Sequence, residues 1–436
     1  MQRCILFPLL TLLLAFSLSS CLEDRCEDEQ TFYVYDAVTI TEAEWRTDNF
    51  VRDEAREVCE PSGFYVYGDL LLVVDAGAGL HLIDNSDNAA PTPIGFITMP
   101  GGRGLAVRNN VLYISQFTDI LTFSLDNPRE PRFLQRTRDV FTTGSVFAGV
   151  DGNGDYVIRY DKRAETVTRS CDEVPPNVWG GGGGWWLEGD VLFSANAFVT
   201  NTANAGATQP DVVGVGGSLA RFTIANSTLY TVDDRKLTAF GLQDPTRPER
   251  AGEVNLGWGI ETIFPQGDLL FVGAETGMHI LRAADPLNPE YLSTFQHVRA
   301  CDPVVVRGNL AYVTIWAGSD CGNSGRDQLE VIDISYPREP RSIQVVPMES
   351  SHGLGIADDM LFLCADEQGM IVYQLNSDGR LGRILDQDRS VPAWDVIPLE
   401  NRNELIVFGK GSAGIFQYDY LDAGDLTKVS HLEICN

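Results

Sequence analysis

The sequence predicts an all-β fold: a β-propeller of seven or eight four-stranded antiparallel blades. Composition is the first observation behind it. Of 436 residues, 44% are hydrophobic and only 21% charged, with 42 glycines and 21 prolines, a balance that suits strands and turns rather than long helices. Recurrence is the second. Five phrases carry an alternating apolar strand into a polar, proline-bracketed turn: LHLIDNSDNAAPTP (80–93), LTFSLDNPREP (121–131), LTAFGLQDPTRP (237–248), MHILRAADPLNP (278–289) and LEVIDISYPREP (329–340). The third is a companion unit of two apolar strands about a tight polar turn, seen in GLAVRNNVLYIS, ARFTIANSTLYTV, VVVRGNLAYVT and GLGIADDMLFLC. The Asn, Asp and Gly residues at those turns supply the positive backbone angles that tight hairpins require.

Joined together, the two units read strand, tight turn, strand, loop, strand, proline turn, strand, over roughly 40 residues, which is the pattern of a propeller blade. Good units begin near Ser62, Gly102, Ser218, Trp258, Ala300, Ser351 and Ala393. Residues 138–217 are irregular: YVIRYDKRAETVTR alternates like paired strands, and a glycine run, WWLEGDVLFSANAF and a loop rich in Gly, Ala, Thr and Asn follow. This stretch reads either as a degenerate eighth blade or as a decorated insertion. A closed ring would leave no long strand edge exposed.

Ahead of the repeats, residues 1–20 carry one charge, Arg3, before a near-continuous apolar run from Ile5 to Leu18, the pattern of a signal peptide. The run ends in Leu18-Ser19-Ser20-Cys21, which resembles the bacterial lipobox. That resemblance implies that Cys21 is the first mature residue and carries the lipid through which the domain hangs from a membrane. Leu22 stands where an aspartate would retain a lipoprotein at the inner membrane, so the expected address is the cell envelope at the outer membrane, on its periplasmic or surface face. No later stretch is apolar enough to cross a bilayer as a helix. The domain plan is therefore a leader at 1–20, a lipidated tether with room for an extra strand at 21–61, and the propeller at 62–436.

The phrases LHLID and LEVIDIS, each followed by a proline turn, resemble the LVIVD repeat of exported bacterial β-propeller lipoproteins. GWGIETIFP, HVRACDPVVV, SHGLGI and AWDVIPL are similar to further stretches of those proteins. The resemblance implies fold and export, and lends no catalytic residue.

A net charge of −29 disfavours nucleic acid or anionic lipid as a partner and favours cations, although most of it reads as a solvated acidic surface. Nine cysteines are present; beyond Cys4 and Cys21 the remainder is odd, so at least one stays unpaired within the chain. Cys301 and Cys321 flank one predicted hairpin and are the expected disulfide. Cys364, inside the strand LFLCA, is expected as a buried thiol.

Aligning the repeats brings one position together at the start of each first strand: Ser62, Arg103, Ala220, Glu261, Asp302 and His352, with Asp395 added from the last blade. A ring of such positions would lie at one channel mouth. Glu261, Asp302, His352 and Asp395 are the candidate ligands of a divalent cation, Ca²⁺, Mn²⁺ or Zn²⁺, and Arg103 and Arg221 are candidate ligand-binding residues. The competing reading is an internal polar network, with Arg103 or Arg221 paired to Glu261 or Asp302. DGNGD at 151–155 places oxygen-bearing side chains on alternate residues, but Tyr156 and Lys162 depart from a calcium loop, and a hairpin turn is the expected role. Trp179, Trp185 and Trp186 read as packing of an inserted loop or as a stacking platform. Trp258, Trp316 and Trp394 are expected to be buried with a bonded indole nitrogen.

No HExxH, GxSxG, Walker or dinucleotide motif is present, which removes enzyme classes that announce themselves in sequence. Two functions remain. The favoured one is a membrane-anchored exported lipoprotein whose propeller is a non-catalytic module binding a protein or glycan. The alternative is a metal-assisted hydrolase or lyase at the channel mouth, with Glu261 or His352 moving protons.

Overall fold

A computed structural model of the chain describes residues 27–142, 149–170, 215–216, 220–296, 303–316, 327–421 and 423–435. Seven four-stranded antiparallel blades span residues 61–98, 105–137, 222–255, 260–296, 304–347, 354–388 and 393–432, numbered here as blades 1 to 7. First strands of neighbouring blades touch at six of the seven junctions, and between blades 7 and 1 the short strand Val215–Gly216 touches both first strands, which sets the blades in a cycle. The predicted propeller is thus present with seven blades. Among the described residues, the irregular stretch supplies a long strand, Tyr156–Ser170, and a two-residue strand, Val215–Gly216, and no further four-stranded sheet.

Burial follows position in the blade. The second strand of blade 1, Leu70–Asp75, is buried at every position, whereas the fourth strand of blade 3, Glu249–Asn255, is mostly exposed. Inner strands are covered on both faces by neighbouring blades, so their sequences are continuous apolar runs; outer strands keep one wet face and alternate. Turn chemistry follows the same logic. Asn109 and Asn110 (φ 49° and 61°) and Asn226 and Ser227 (φ 50° and 58°) hold the paired positive angles of a tight hairpin turn.

The recurring aspartate before each proline turn also has a physical role. The Oδ1 atoms of Asp84, Asp244, Asp285 and Asp333 accept the backbone N–H two residues on, at 3.1, 2.9, 3.2 and 2.9 Å, so each side chain nucleates its own turn. Hydrogen bonds from the side chains of Ser86, Thr246, Asn288 and Ser335, followed by these backbone bonds, hold the carboxylates below their usual range. Blades then lock to one another through the same turns. The hydroxyls of Tyr113, Tyr230 and Tyr312, each third in its blade's second strand, donate to the carbonyls of Pro245, Pro286 and Gly379 in the next blade, at 2.6, 2.8 and 2.7 Å. In blade 4 the equivalent residue is Phe271, and Ser293 Oγ instead reaches the Pro337 carbonyl at 2.6 Å.

The ring closes without exchanging a strand between its ends. Asn85 and Gln417 form a buried reciprocal amide pair (3.0 and 2.6 Å), Phe64 stacks on Phe408, and the Cys435 N–H donates to the Val58 carbonyl at 2.8 Å. A disulfide joins Cys59 to Cys435 across a sequence separation of 376. Sequence reasoning missed this pair. Cys364 is a buried free thiol, as expected; Cys21, Cys301 and Cys321 lie outside the described residues.

Contacts divide the chain into two compact units, residues 1–37 with 160–190, and residues 38–159 with 191–436. In the first, strand Glu27–Ile40 pairs with Tyr156–Ser170, supported by Thr31–Thr166 (2.9 Å), Arg163–Asp36 (2.8 Å) and Lys162 over the Tyr33 ring. The second unit contains the propeller. DGNGD forms a turn there: Asp151 Oδ1 accepts the N–H groups of Asn153 and Asp155 at 2.8 and 2.9 Å, so that carboxylate oxygen is committed to the loop itself. No described helix is long and apolar enough to cross a membrane.

Candidate functional site at the entry face

Antiparallel order fixes two faces. First strands begin, and second strands end, on one of them, called the entry face here; the proline turns lie on the other. Strand pairing shows which residues share the ring position at that entry. Ser62 and Glu261 are the extra residues at bulges before Gly63 and Thr262, and in blade 7 the corresponding residue is Trp394, between Ala393 and Asp395. The four-residue turn 400–403, with Asn403 left-handed (φ 56°), displaces the count. Asp395 therefore leaves the ring and takes the next position, shared with Arg221.

Asp395 is fully buried. Its carboxylate lies so close to Gly353 that an added Cβ there would collide with it, and burial together with the Asp395 charge pushes the Cys364 thiol well up. Among the described residues no three His, Cys, Asp or Glu side chains form a metal-binding group. Glu261 and His352 stand on the ring; Asp302 lies outside the described residues. The expected cation ligands are therefore not brought together as a set among the described residues.

His352 belongs to an aromatic cluster instead. Its ring stacks on Trp394 at 3.9 Å, while Trp316 meets it edge-on at 4.6 Å and Trp394 at 5.7 Å. Thr314 Oγ1 donates to the His352 carbonyl at 2.6 Å. Burial, reinforced by the Lys410 charge, pushes the imidazole down to about 3, so it stays neutral at physiological pH and is a weak proton acceptor. Lys410 lies 5.6 Å from the Trp394 ring centroid and pairs with Asp366 at 2.7 Å, a cation held beside an aromatic face.

The tryptophans depart from expectation in two ways. Trp258 is 59% exposed, presented between Gly257 (φ 106°) and Gly259 (φ 78°) in the connection from blade 3 to blade 4. The Trp394 Nε1 is covered and meets no hydrogen-bond partner among the described residues. The flanking glycines were the readable signal for Trp258, since paired positive angles turn a side chain outward; Trp179, Trp185 and Trp186 lie outside the described residues.

Between blades 2 and 3, Arg103 and Arg221 line a small recess with Ser115, Phe117, Phe222 and Asp233. Ser115 Oγ accepts the N–H groups of Arg103 and Gly104, both at 3.0 Å, which fixes the loop that carries Arg103. Arg221 Nη1 pairs with Asp234 Oδ1 at 3.2 Å, a partner not among those expected from sequence. Burial and the neighbouring Arg221 charge push Arg103 down to about 9. Phe117, at φ 49°, is braced by Trp45 and Tyr156 at 5.0 and 4.8 Å.

No protein-family model matches the sequence, and no curated relative aligns with it. Solved structures do. The periplasmic gluconolactonase of Pseudomonas aeruginosa superposes with a TM-score of 0.52 at 8% identity, covering 88% of this chain and 97% of that one. A putative 6-phosphogluconolactonase from Bacteroides fragilis gives 0.52 at 9%, covering 89% and 96%. The computationally designed Ika8 protein gives 0.50 at 8%, covering 88% and 91%. What they share with this chain is the fold. At such identities a propeller says nothing of chemistry, because unrelated activities sit on it.

Proposed function

We propose that this protein is an exported, lipid-anchored binding module of the cell envelope whose entry face recognises a glycan. The observation that carries the reading is the aromatic dressing of one face: exposed Trp258 on its two glycines, with the Trp316–His352–Trp394 cluster on the same side. Flat indole faces suit the apolar faces of sugar rings, and Lys410 beside Trp394 supplies a charged donor. Binding rather than turnover is favoured because His352, the proposed proton carrier, is covered and held neutral. The lipobox resemblance at Cys21 and the LVIVD resemblance of the repeats support anchoring and export.

The test is calorimetric titration of the mature protein with chito-, cello-, xylo- and galacturono-oligosaccharides. Trp258→Ala is expected to weaken the bound oligosaccharide at least tenfold, about 1.4 kcal/mol, without moving the melting temperature. If none of the four is bound, the glycan reading falls. Loss of labelled palmitate incorporation in Cys21→Ser tests the anchor.

A further inference from the structure

We infer that the cleft between blades 5 and 6, on the face opposite the entry, docks a short extended peptide that alternates aliphatic and basic side chains. The cleft begins in a local break of the repeat. The connection between the third and fourth strands of blade 6, residues 376–380, carries no proline and is two residues shorter than its counterparts in blades 1 to 5, such as 334–340 in blade 5. The proline turns of blades 3 and 4 seat against the blade before them through the Tyr113 and Tyr230 hydroxyls. The Tyr312 hydroxyl keeps the same latch on the Gly379 carbonyl, but the short turn leaves an open space of about 630 Å³ beside it. That lies inside the range of ~300 to 1,000 Å³ that ligand sites occupy.

Its walls are held in place before any ligand arrives. Gly379 (φ 78°) lies so close on Leu310 that an added Cβ would collide with that side chain. Gln344 of blade 5 clamps Leu381 of blade 6, accepting its N–H at 2.8 Å and donating to its carbonyl at 3.1 Å. Little ordering is then left to oppose binding. The floor is aliphatic, formed by Leu310, Ile343 and Leu375. Tyr312, the aromatic residue of the lining, is 1% exposed and offers no ring face, so a sugar finds no stacking platform here, whereas aliphatic side chains find apolar surface to cover. Asn309, Asn376 and Ser377 stand around that floor as donors and acceptors for a peptide backbone.

Charge then selects among peptides. Asp333, Asp359 and Asp378 outnumber Arg307 and Arg380 at the border. The Asp378–Arg380 pair (2.7 Å) leaves each side chain about half open to solvent, and pairs so exposed are weak enough to exchange for a ligand cation. Beyond the rim, the overall charge of −29 draws a basic segment in and repels an acidic one. In an extended chain successive side chains point to opposite faces, so aliphatic residues cover the floor while lysines or arginines between them reach the carboxylates. Arg307 is left to donate to the peptide's carbonyls.

Fluorescence anisotropy of the labelled hexapeptide Leu-Lys-Leu-Lys-Leu-Lys, titrated with the mature protein at physiological ionic strength, tests the cleft. Saturable binding is expected, at least tenfold tighter than for Leu-Glu-Leu-Glu-Leu-Glu and for Gly-Lys-Gly-Lys-Gly-Lys. Ser377→Trp, which fills the cleft without changing charge, and Asp359→Lys should each weaken binding at least tenfold with the melting temperature unmoved. Glu367→Lys, an equal charge change at an exposed position on the entry face, should leave it within twofold. No binding, equal binding of either control peptide, or an equal loss in Glu367→Lys overturns the inference, whatever the entry face binds. Binding of neutral galactotriose that Ser377→Trp abolishes would make the cleft a glycan site. A dimer in sedimentation that Ser377→Trp dissociates would make it a contact between two copies of this chain. Either of those results also overturns the peptide.

Discussion

His352 shows how far one side chain is remade by its surroundings. In sequence it is one polar residue among ring positions, and an imidazole beside carboxylates suggests a metal ligand or a proton carrier. In the fold it is 3% exposed and sandwiched against Trp316 and Trp394. Its proton affinity falls from the ordinary 6.5 to about 3 because burial disfavours the cation. The unfolded chain therefore binds one proton more than the native protein between pH 6.5 and 3, and stability declines as pH falls through that window. His352→Phe keeps a ring in the stack without titrating. Urea midpoints measured at pH 4, 5 and 6 should show the variant losing up to about 1.4 kcal/mol per pH unit less than the parent. Arg221 tells a similar story: its side chain was readable as a candidate, its partner was not. Asp234 ends the next strand's turn, and only hairpin geometry brings it within 3.2 Å.

Repetition at the level of the strand was the most legible part of the chain. Short-range rules settle it: period-two alternation, Asn-Asn or Gly turns, and an aspartate that caps the N–H two residues ahead. The latch between blades uses those turns as its acceptors, so a local motif also carries long-range cohesion. Tyr230→Phe leaves the Pro286 carbonyl without its 2.8 Å donor and should cost about 1 to 2 kcal/mol in chemical denaturation. Phe271→Tyr is expected to gain nothing, because Ser293 already occupies the corresponding Pro337 carbonyl. Residues 138–217 resisted reading for a related reason. A single alternating strand has the same pattern whether it pairs with its neighbour or, as Tyr156–Ser170 does, with Glu27–Ile40 more than a hundred residues away.

For the whole ring, the junction of blades 1 and 7 decides integrity. Every other pair of neighbouring blades is tied by continuous chain; this pair depends on the Asn85–Gln417 exchange, the Phe64–Phe408 stack and the Cys59–Cys435 bond. Closing so long a loop removes much freedom from the unfolded state, so Cys59→Ser with Cys435→Ser should cost about 3 to 5 kcal/mol, read as a lowered urea midpoint. Reduction of the parent protein should reproduce that shift; an unchanged midpoint would mean that the amide and aromatic contacts hold the ring unaided. The acidic surface, −29 overall, was legible by counting, whereas the positive recess inside it was not. What the sequence by itself determined is the blade and its repetition, because contacts a few residues apart need only local backbone chemistry. Only the tertiary structure decided the number of blades, the Cys59–Cys435 clasp, the outward turn of Trp258 and the meeting of Arg103, Arg221 and Asp234. Those depend on which distant strands become neighbours, and ring closure, a property of all seven blades at once, makes that choice.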